Sequence, residues 1–280
     1  MAILPFLLAA SVASAPLPLA PAAPVHVQAQ QSQPRPALWV VNDRDTIIYL
    51  FGTFHALSGK EDWFDRSVQT AFSASDQLIL ETLVPKPPVP LAIGRGNLSP
   101  VVRGQAPRPV AELAPSSFLG TTKMVMRAGR ANGLSTDNGA DAVLRDAADR
   151  IGKPVGELES FEYQLRLFST LPPPPAAAAA QARDPAVSRA LGAVLSQLQS
   201  AWSRGDIESF APMLLRMQEQ SPQIYETMFV QRNARWANWI AERMKKPGTV
   251  FVAVGAGHLS GPDSVQNRLA MLGVRSARVN

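Results

Sequence analysis

The sequence predicts an α/β fold: a central mixed β-sheet drawn from the N- and C-terminal parts of the chain, with a large helical insertion at about 111–245. Three observations point there. Runs rich in β-branched and aromatic residues lie near both ends, at 38–41 (LWVV), 46–51 (TIIYLF) and 249–254 (TVFVAV). The intervening chain carries apolar residues at i, i+3, i+4 spacing over long stretches. At 280 residues and 46% hydrophobic, the chain is long enough to bury a substantial core.

Taken in order, residues 1–29 contain no Asp, Glu, Lys or Arg, and an apolar run followed by small residues reads as a signal peptide. Ala13-Ser14-Ala15 meets the small-x-small rule but is followed by Pro16, so Val27-Gln28-Ala29 is the better cleavage site. The expected setting is therefore export, to a periplasm or beyond. Pro16, Pro18, Pro21 and Pro24 interrupt any run of about 20 apolar residues, which argues against a stable membrane anchor. Residues 30–36 read as a polar linker and 37–280 as a single domain.

The runs 38–41 and 46–51 flank Asn42-Asp43-Arg44-Asp45 and form a hairpin pattern. A helix is expected over 63–73, and 77–81 (QLILE) reads as a buried strand ending in an acid. The proline-rich segment 84–110 is expected to be irregular. Helices follow at 116–131 and 141–151, the latter stopped by Gly152. Residues 154–158 form a possible strand before a helix at 160–169. The low-complexity stretch 172–180 (PPPPAAAAA) reads as a surface excursion. Helices at 184–203, 206–219 and 221–245 lead back to the sheet, and a helix at 262–272 and a strand at 274–279 close the chain.

Composition narrows the chemistry. There is no Cys, so disulfide scaffolds, thiolate metal sites and Cys nucleophiles are excluded. Imidazole chemistry has only His26, His55 and His258 to draw on, and His26 falls in the expected leader. The net charge is +5, yet the basic residues are scattered and not interleaved with aromatics, so no nucleic-acid partner is expected. There is no HExxH, G-x-S-x-G, Walker A or GxGxxG motif.

The two remaining histidines share one frame. Gly52-Thr53-Phe54-His55 follows a strand ending at Phe51, and Gly255-Ala256-Gly257-His258 follows one ending at Val254. Open α/β sheets place ligands beyond the carboxyl ends of their strands, where Gly lets the backbone turn sharply. With Glu81 closing a third apolar run, two imidazoles and a carboxylate are expected at one sheet edge. Such a set suits a divalent ion that acidifies water. Zn, Mn, Co or Fe would all accept it.

These motifs resemble the TraB/GumN family, related to the Tiki metalloproteases. The resemblance runs through the Leu38-Trp39 strand pair, Leu50 to His55 and Leu80-Glu81. It continues through Gly152 to Ser160 (GKPVGELES), Gln231 to Ala237 (QRNARWA) and Val252 to Asp263 (VAVGAGHLSGPD), followed by Leu272-Gly273-Val274. It covers roughly 37–280. It implies a metal-dependent hydrolase, peptidase-like, with His55, Glu81 and His258 as ligands and acid–base groups. Arg232 would complete the catalytic set by stabilising an oxyanion, and Asn233 and Glu159 would contact a peptide or another small or polymeric substrate. Two alternatives stay open: an ester or acyl hydrolase of the erythromycin-esterase-like type, or a non-enzymatic periplasmic binding or envelope-polymer accessory protein. Plainer readings accompany some of these residues. Glu159 and Asp263 both precede helix starts that favour an acid, and Trp236 and Trp239 have core spacing.

Overall fold

Asp43 closes the first turn. Its Oδ1 accepts from the Asp45 and Thr46 N–H groups at 3.1 and 2.9 Å, as Asp does in turns. In the computed structural model, which describes residues 35–85, 118–172 and 184–279, this turn joins the first two of six strands. They are β1 (Leu38–Asn42), β2 (Thr46–Thr53), β3 (Gln77–Leu80), β4 (Val155–Glu157), β5 (Gly248–Gly255) and β6 (Ala277–Arg278). They form one sheet in the order β4-β3-β5-β2-β1-β6. β1 pairs antiparallel with β2 and β6, whereas β2, β3 and β4 join β5 in a parallel block. The mixed sheet is therefore as the sequence predicts, although its edge strand β4 comes from within the expected helical insertion rather than from either end of the chain.

The helices are α1 (Arg66–Ala74), α2 (Phe118–Ala131), α3 (Ala140–Arg150), α4 (Phe161–Thr170), α5 (Pro185–Ser203), α6 (Ala211–Gln220), α7 (Pro222–Tyr225), α8 (Gln231–Arg243) and α9 (Val265–Met271). Local chemistry moves several ends from their expected places. α1 begins at Arg66 rather than 63, because the Asp65 carboxylate accepts from the Ser67 and Val68 N–H groups. The expected 221–245 helix is broken into α7, a π-helical turn at Glu226–Val230, and α8. The expected 274–279 strand shrinks to two residues. The expected leader at 1–29, most of the linker at 30–36, nearly all of 84–110 and most of PPPPAAAAA lie outside the described residues. Among the described residues no helix is long and apolar enough to cross a membrane.

Alternation along the strands splits the core in two. Leu38, Phe51, Leu78, Leu80, Phe251 and Ala253 face α1, α3 and α5, where Val68, Phe72, Leu144 and Trp202 cover them. Trp39, Ile48, Leu50, Ile79, Val250 and Val252 face α8 and α9, covered by Trp236, Ile240, Val265 and Leu269. Both faces of the parallel strands are thus apolar, as a two-sided sheet requires. Trp202 ties the first layer to the sheet: its ring packs on Phe51, Phe54 and Trp63, and its Nε1–H donates to the Gly52 carbonyl at 2.7 Å. Trp202→Ala is expected to cost about 3–5 kcal/mol in urea unfolding, and Trp202→Phe distinctly less. Equal midpoints for wild type and Trp202→Ala would contradict this packing.

Candidate active site

Because β2, β3 and β5 run parallel, their carboxyl ends share one edge of the sheet. Thr53 is opposite Gly255, and Leu80 is opposite Ala253, so Glu81 follows directly beside the end of β5. The Gly255 N–H donates to Glu81 Oε1 at 2.6 Å. Beyond Gly255 the chain enters a short 3-10 turn, Ala256–Leu259, that carries His258 inward. Gly255 itself is a cradle: a Cβ there would lie 3.1 Å from both His55 Nε2 and Glu81 Oε1 and 3.6 Å from His258 Cδ2. The three groups expected to meet at the sheet edge do meet there.

Arg232, near the start of α8, is the most buried charge at the site, with only 2% of its side chain exposed. Its Nη2 donates to Glu81 Oε2 and its Nε to Glu159 Oε2, both at 2.9 Å, and its Nη1 faces His258 Nε2 at 3.3 Å. The guanidinium also lies over the Trp236 ring, 4.6 Å from its centroid. Arg235 holds the other oxygen of Glu159 at 3.0 Å. The Trp236 and Phe229 rings stand 4.5 and 4.8 Å from the His258 ring.

These contacts fix the tautomers. His258 Nδ1 lies 2.6 Å from Asn233 Oδ1, an acceptor, so it carries the hydrogen, and Nε2 accepts from Arg232. Asn233 is in turn held by donating to the Asp263 carbonyl at 2.8 Å. His55 Nδ1 likewise donates to Asp141 Oδ2 at 2.6 Å, and Thr53 Oγ1 donates to the other Asp141 oxygen at 2.8 Å. The two rings then part company. Burial pushes His258 down to about 3, so it is neutral at ordinary pH. The Asp141 carboxylate raises His55 to about 9, although the His55 side chain is 58% exposed and its ion pair is accordingly screened by water. Burial pushes the Glu81 carboxyl up, but the Arg232 guanidinium outweighs it and holds the group down at about 2.

The model of the TraB/PrgY/gumN family matches residues 37–93 and 97–278, across every strand and helix that builds this site. The chain belongs to that family. It is also 32% identical over 164 residues to the uncharacterized protein YbaP of Escherichia coli (strain K12), and equally to that of Shigella flexneri. Each match spans 56% of this chain and 60% of the relative, so less than two thirds of those proteins is covered. No solved structure matches.

Among the residues named from sequence, His55, Glu81, His258 and Arg232 come together in this family member. Asn233 is buried and bonded to His258, and Glu159 is buried between Arg232 and Arg235. Both stand as supports of the site. Asp263, read as a helix-start acid, instead pairs with Arg268 at 2.6 Å and accepts from the Tyr225 hydroxyl at 2.8 Å. Trp236 is core, as its spacing suggests, and also a wall of the site. Sequence reasoning missed Asp141 and Phe229. The only signal for Asp141 was an acid in the first turn of α3, after a glycine that packs on the His55 carbonyl.

Two predictions follow from this geometry. In metal-free protein, ring NMR should show His55 titrating near pH 9 and His258 staying neutral in its Nδ1–H form down to about pH 3. Asp141→Asn should return His55 toward 6.5; an unmoved midpoint would sever the link between them. The sign of the linkage is set by the raised pKa. The stabilising His55–Asp141 pair is fully present below pH 6.5 and is lost as pH rises through about 9. Gly255 has φ −53°, which any residue adopts, so Gly255→Ala should fold normally while its methyl disrupts the site. A melting temperature matching wild type together with shifted His55 and His258 ring signals is the expected pattern.

Proposed function

We propose that this chain is a metal-dependent hydrolase in which His55, Glu81 and His258 hold a divalent ion, with peptide bonds the leading substrate class and an exported setting. What supports the reading is that each imidazole has its Nδ1–H tied to an oxygen acceptor, so that Nε2 is the ring nitrogen turned toward the buried Glu81 carboxylate, that of His258 being met by Arg232 Nη1 as well. Outer partners of this kind orient histidines that bind metal. The donor set, two nitrogens and one carboxylate, fits Zn, Mn, Co or Fe. His258 Nε2 and Glu81 Oε1 stand 3.8 Å apart, a separation that one ion can bridge.

A bound ion would supply Lewis acidity and a water acidified toward neutral pH. The chain supplies the rest. Glu81 stays ionised and Asn233 keeps His258 in the ligating tautomer. Trp236 and Phe229 exclude water from the inner side. The Arg232 Nη atoms offer donors for negative charge that develops on a carbonyl oxygen. Because His55 holds its Nε2 proton at neutral pH, it would have to give that proton up to act as a ligand, and ion binding is expected to tighten as pH rises toward 9.

A second reading rests on a separate observation, the exposure of His55 and its short bond to Asp141. That pair could serve as an acid–base dyad for ester or acyl hydrolysis without an ion. Protein purified with metal, compared with His55→Ala/His258→Ala and assayed on peptide and ester panels, separates the two. The metal reading expects the variant to hold at least about tenfold less ion, and chelator to abolish turnover. The dyad reading expects turnover that survives chelator and rises as His55 loses its proton. Unchanged metal content in the double variant would sink the first, and ion binding without turnover would leave a binding protein.

A further inference from the structure

The interior of the site is electrically balanced before any ion arrives. Glu81 and Glu159 contribute two carboxylates, which Arg232 and the partly exposed Arg235 meet with two guanidiniums. His55 and Asp141 form their own pair. A dication placed beside Glu81 and His258 would meet the Arg232 guanidinium, whose Nη2 already bonds Glu81 and whose Nη1 already faces His258 Nε2. Two of the three donor groups are thus engaged by an internal cation. Among the described residues no three His, Cys, Asp or Glu side chains form a ready metal-ligating group, and Arg232 bonds two of the three groups named as ligands.

We propose that Arg232 is a built-in competitor for the divalent ion, which enters as the guanidinium leaves Glu81 and His258 and is retained by Glu159. The inference rests on the ligand reading of His55, Glu81 and His258 and concerns what regulates that site. Three features make Glu159 the holding group. Its Oε2 already takes Arg232 Nε, a different nitrogen from the one that bonds Glu81. Its Oε1 is fixed by Arg235, so the carboxylate stays in place when the rest of the guanidinium moves. Its side chain is 4% exposed, so Arg232 need not reach water to remain paired. The Trp236 face, 4.6 Å away, gives the cation a second constant neighbour. Occupancy then depends on whatever draws Arg232 off Glu81, and an anionic substrate group is the natural partner for a freed guanidinium.

The test is calorimetric titration of the full chain with Zn²⁺ alone and with Mn²⁺ alone. Arg232→Gln should bind at least about tenfold more tightly than wild type, because the competing charge is gone. Glu159→Gln should bind at least about tenfold more weakly, because Arg232 is left with Glu81 as its carboxylate. Arg232→Gln/Glu159→Gln removes one charge of each sign and guards against misfolding of the single variant. It should also bind more tightly than wild type, with metal-free melting temperature reporting the fold. Equal or weaker binding in both Arg232 variants, with binding still lost in His55→Ala/His258→Ala, overturns the competitor role and leaves the ligand reading standing. Binding that persists in the histidine double variant, or no binding by any of these proteins, overturns both.

Discussion

A guanidinium that is almost wholly buried sets the arrangement of the rest of the site. Taking Arg232 out of water is tolerable only if its donors are met by charge and hydrogen bonds. The partners come from two adjacent parallel strands. β3 ends at Leu80 and β4 at Glu157, and backbone pairing continues one residue past β3 and two past β4, with the Glu159 N–H donating to the Glu81 carbonyl at 2.9 Å. Two carboxylates therefore leave the sheet side by side, where they would repel each other without a cation. Arg232 meets one oxygen of each, and Arg235 meets the oxygen that remains on Glu159. Helix α8 is thereby pinned to the carboxyl edge of the sheet by charge as well as by the packing of Trp236, Ala237 and Ile240.

That docking also determines what the neighbours of Arg232 can do. Adjacent residues of a helix point about 100° apart, so Arg232 and Asn233 meet the His258 ring at different nitrogens, Nε2 and Nδ1. The first reaches the carboxylates and the second reaches His258 Nδ1. One turn on, Trp236 lies beneath the guanidinium. The π-helical turn at Glu226–Val230 precedes all of them and brings Phe229 against the His258 ring. Such turns change the helical register locally and are frequent at functional sites. The result is a histidine with its ring walled by two aromatics and both nitrogens engaged.

How much of this was legible in the sequence depends on how far each feature reaches along the chain. Strands with period-2 burial, the hairpin at Asp43 and the Gly-x-x-His frames are local, and they are where the periodicity puts them. The convergence of His55, Glu81 and His258 was legible because three strand ends in a parallel sheet must share an edge. Helix ends were less so: α1 yields its first turn to the Asp65 cap, and the 221–245 periodicity does not reveal a π turn whose apolar residues keep nearly the same face. Asp141 was invisible because its bond to His55 joins positions 86 residues apart, and only the docking of α3 on β2 brings them together. Asn233 and Glu159 were named as site residues from resemblance, but their actual partners, His258 and two arginines, are set by the register of β3 against β4 and by the depth of α8.

The two Gly-x-x-His frames look equivalent in sequence, and the fold makes them unequal. His258 lies within a 3-10 turn, Ala256–Leu259, so burial keeps it neutral and two hydrogen bonds hold it still. His55 follows β2 outward, more than half exposed, with an acid behind it that favours the charged ring. One imidazole is therefore a fixed lone-pair donor and the other is a proton carrier in contact with water. A pair of titratable groups whose environments drive their pKa values apart is the arrangement that assigns different acid–base roles at a single pH. Among the described residues of the site, His55 is the exposed member, while His258, Glu81 and Arg232 are buried. The asymmetry follows from the helices packed against the two strand ends, α3 bringing Asp141 to His55 and α8 bringing Asn233 and Arg232 to His258, not from the glycines that the frames share.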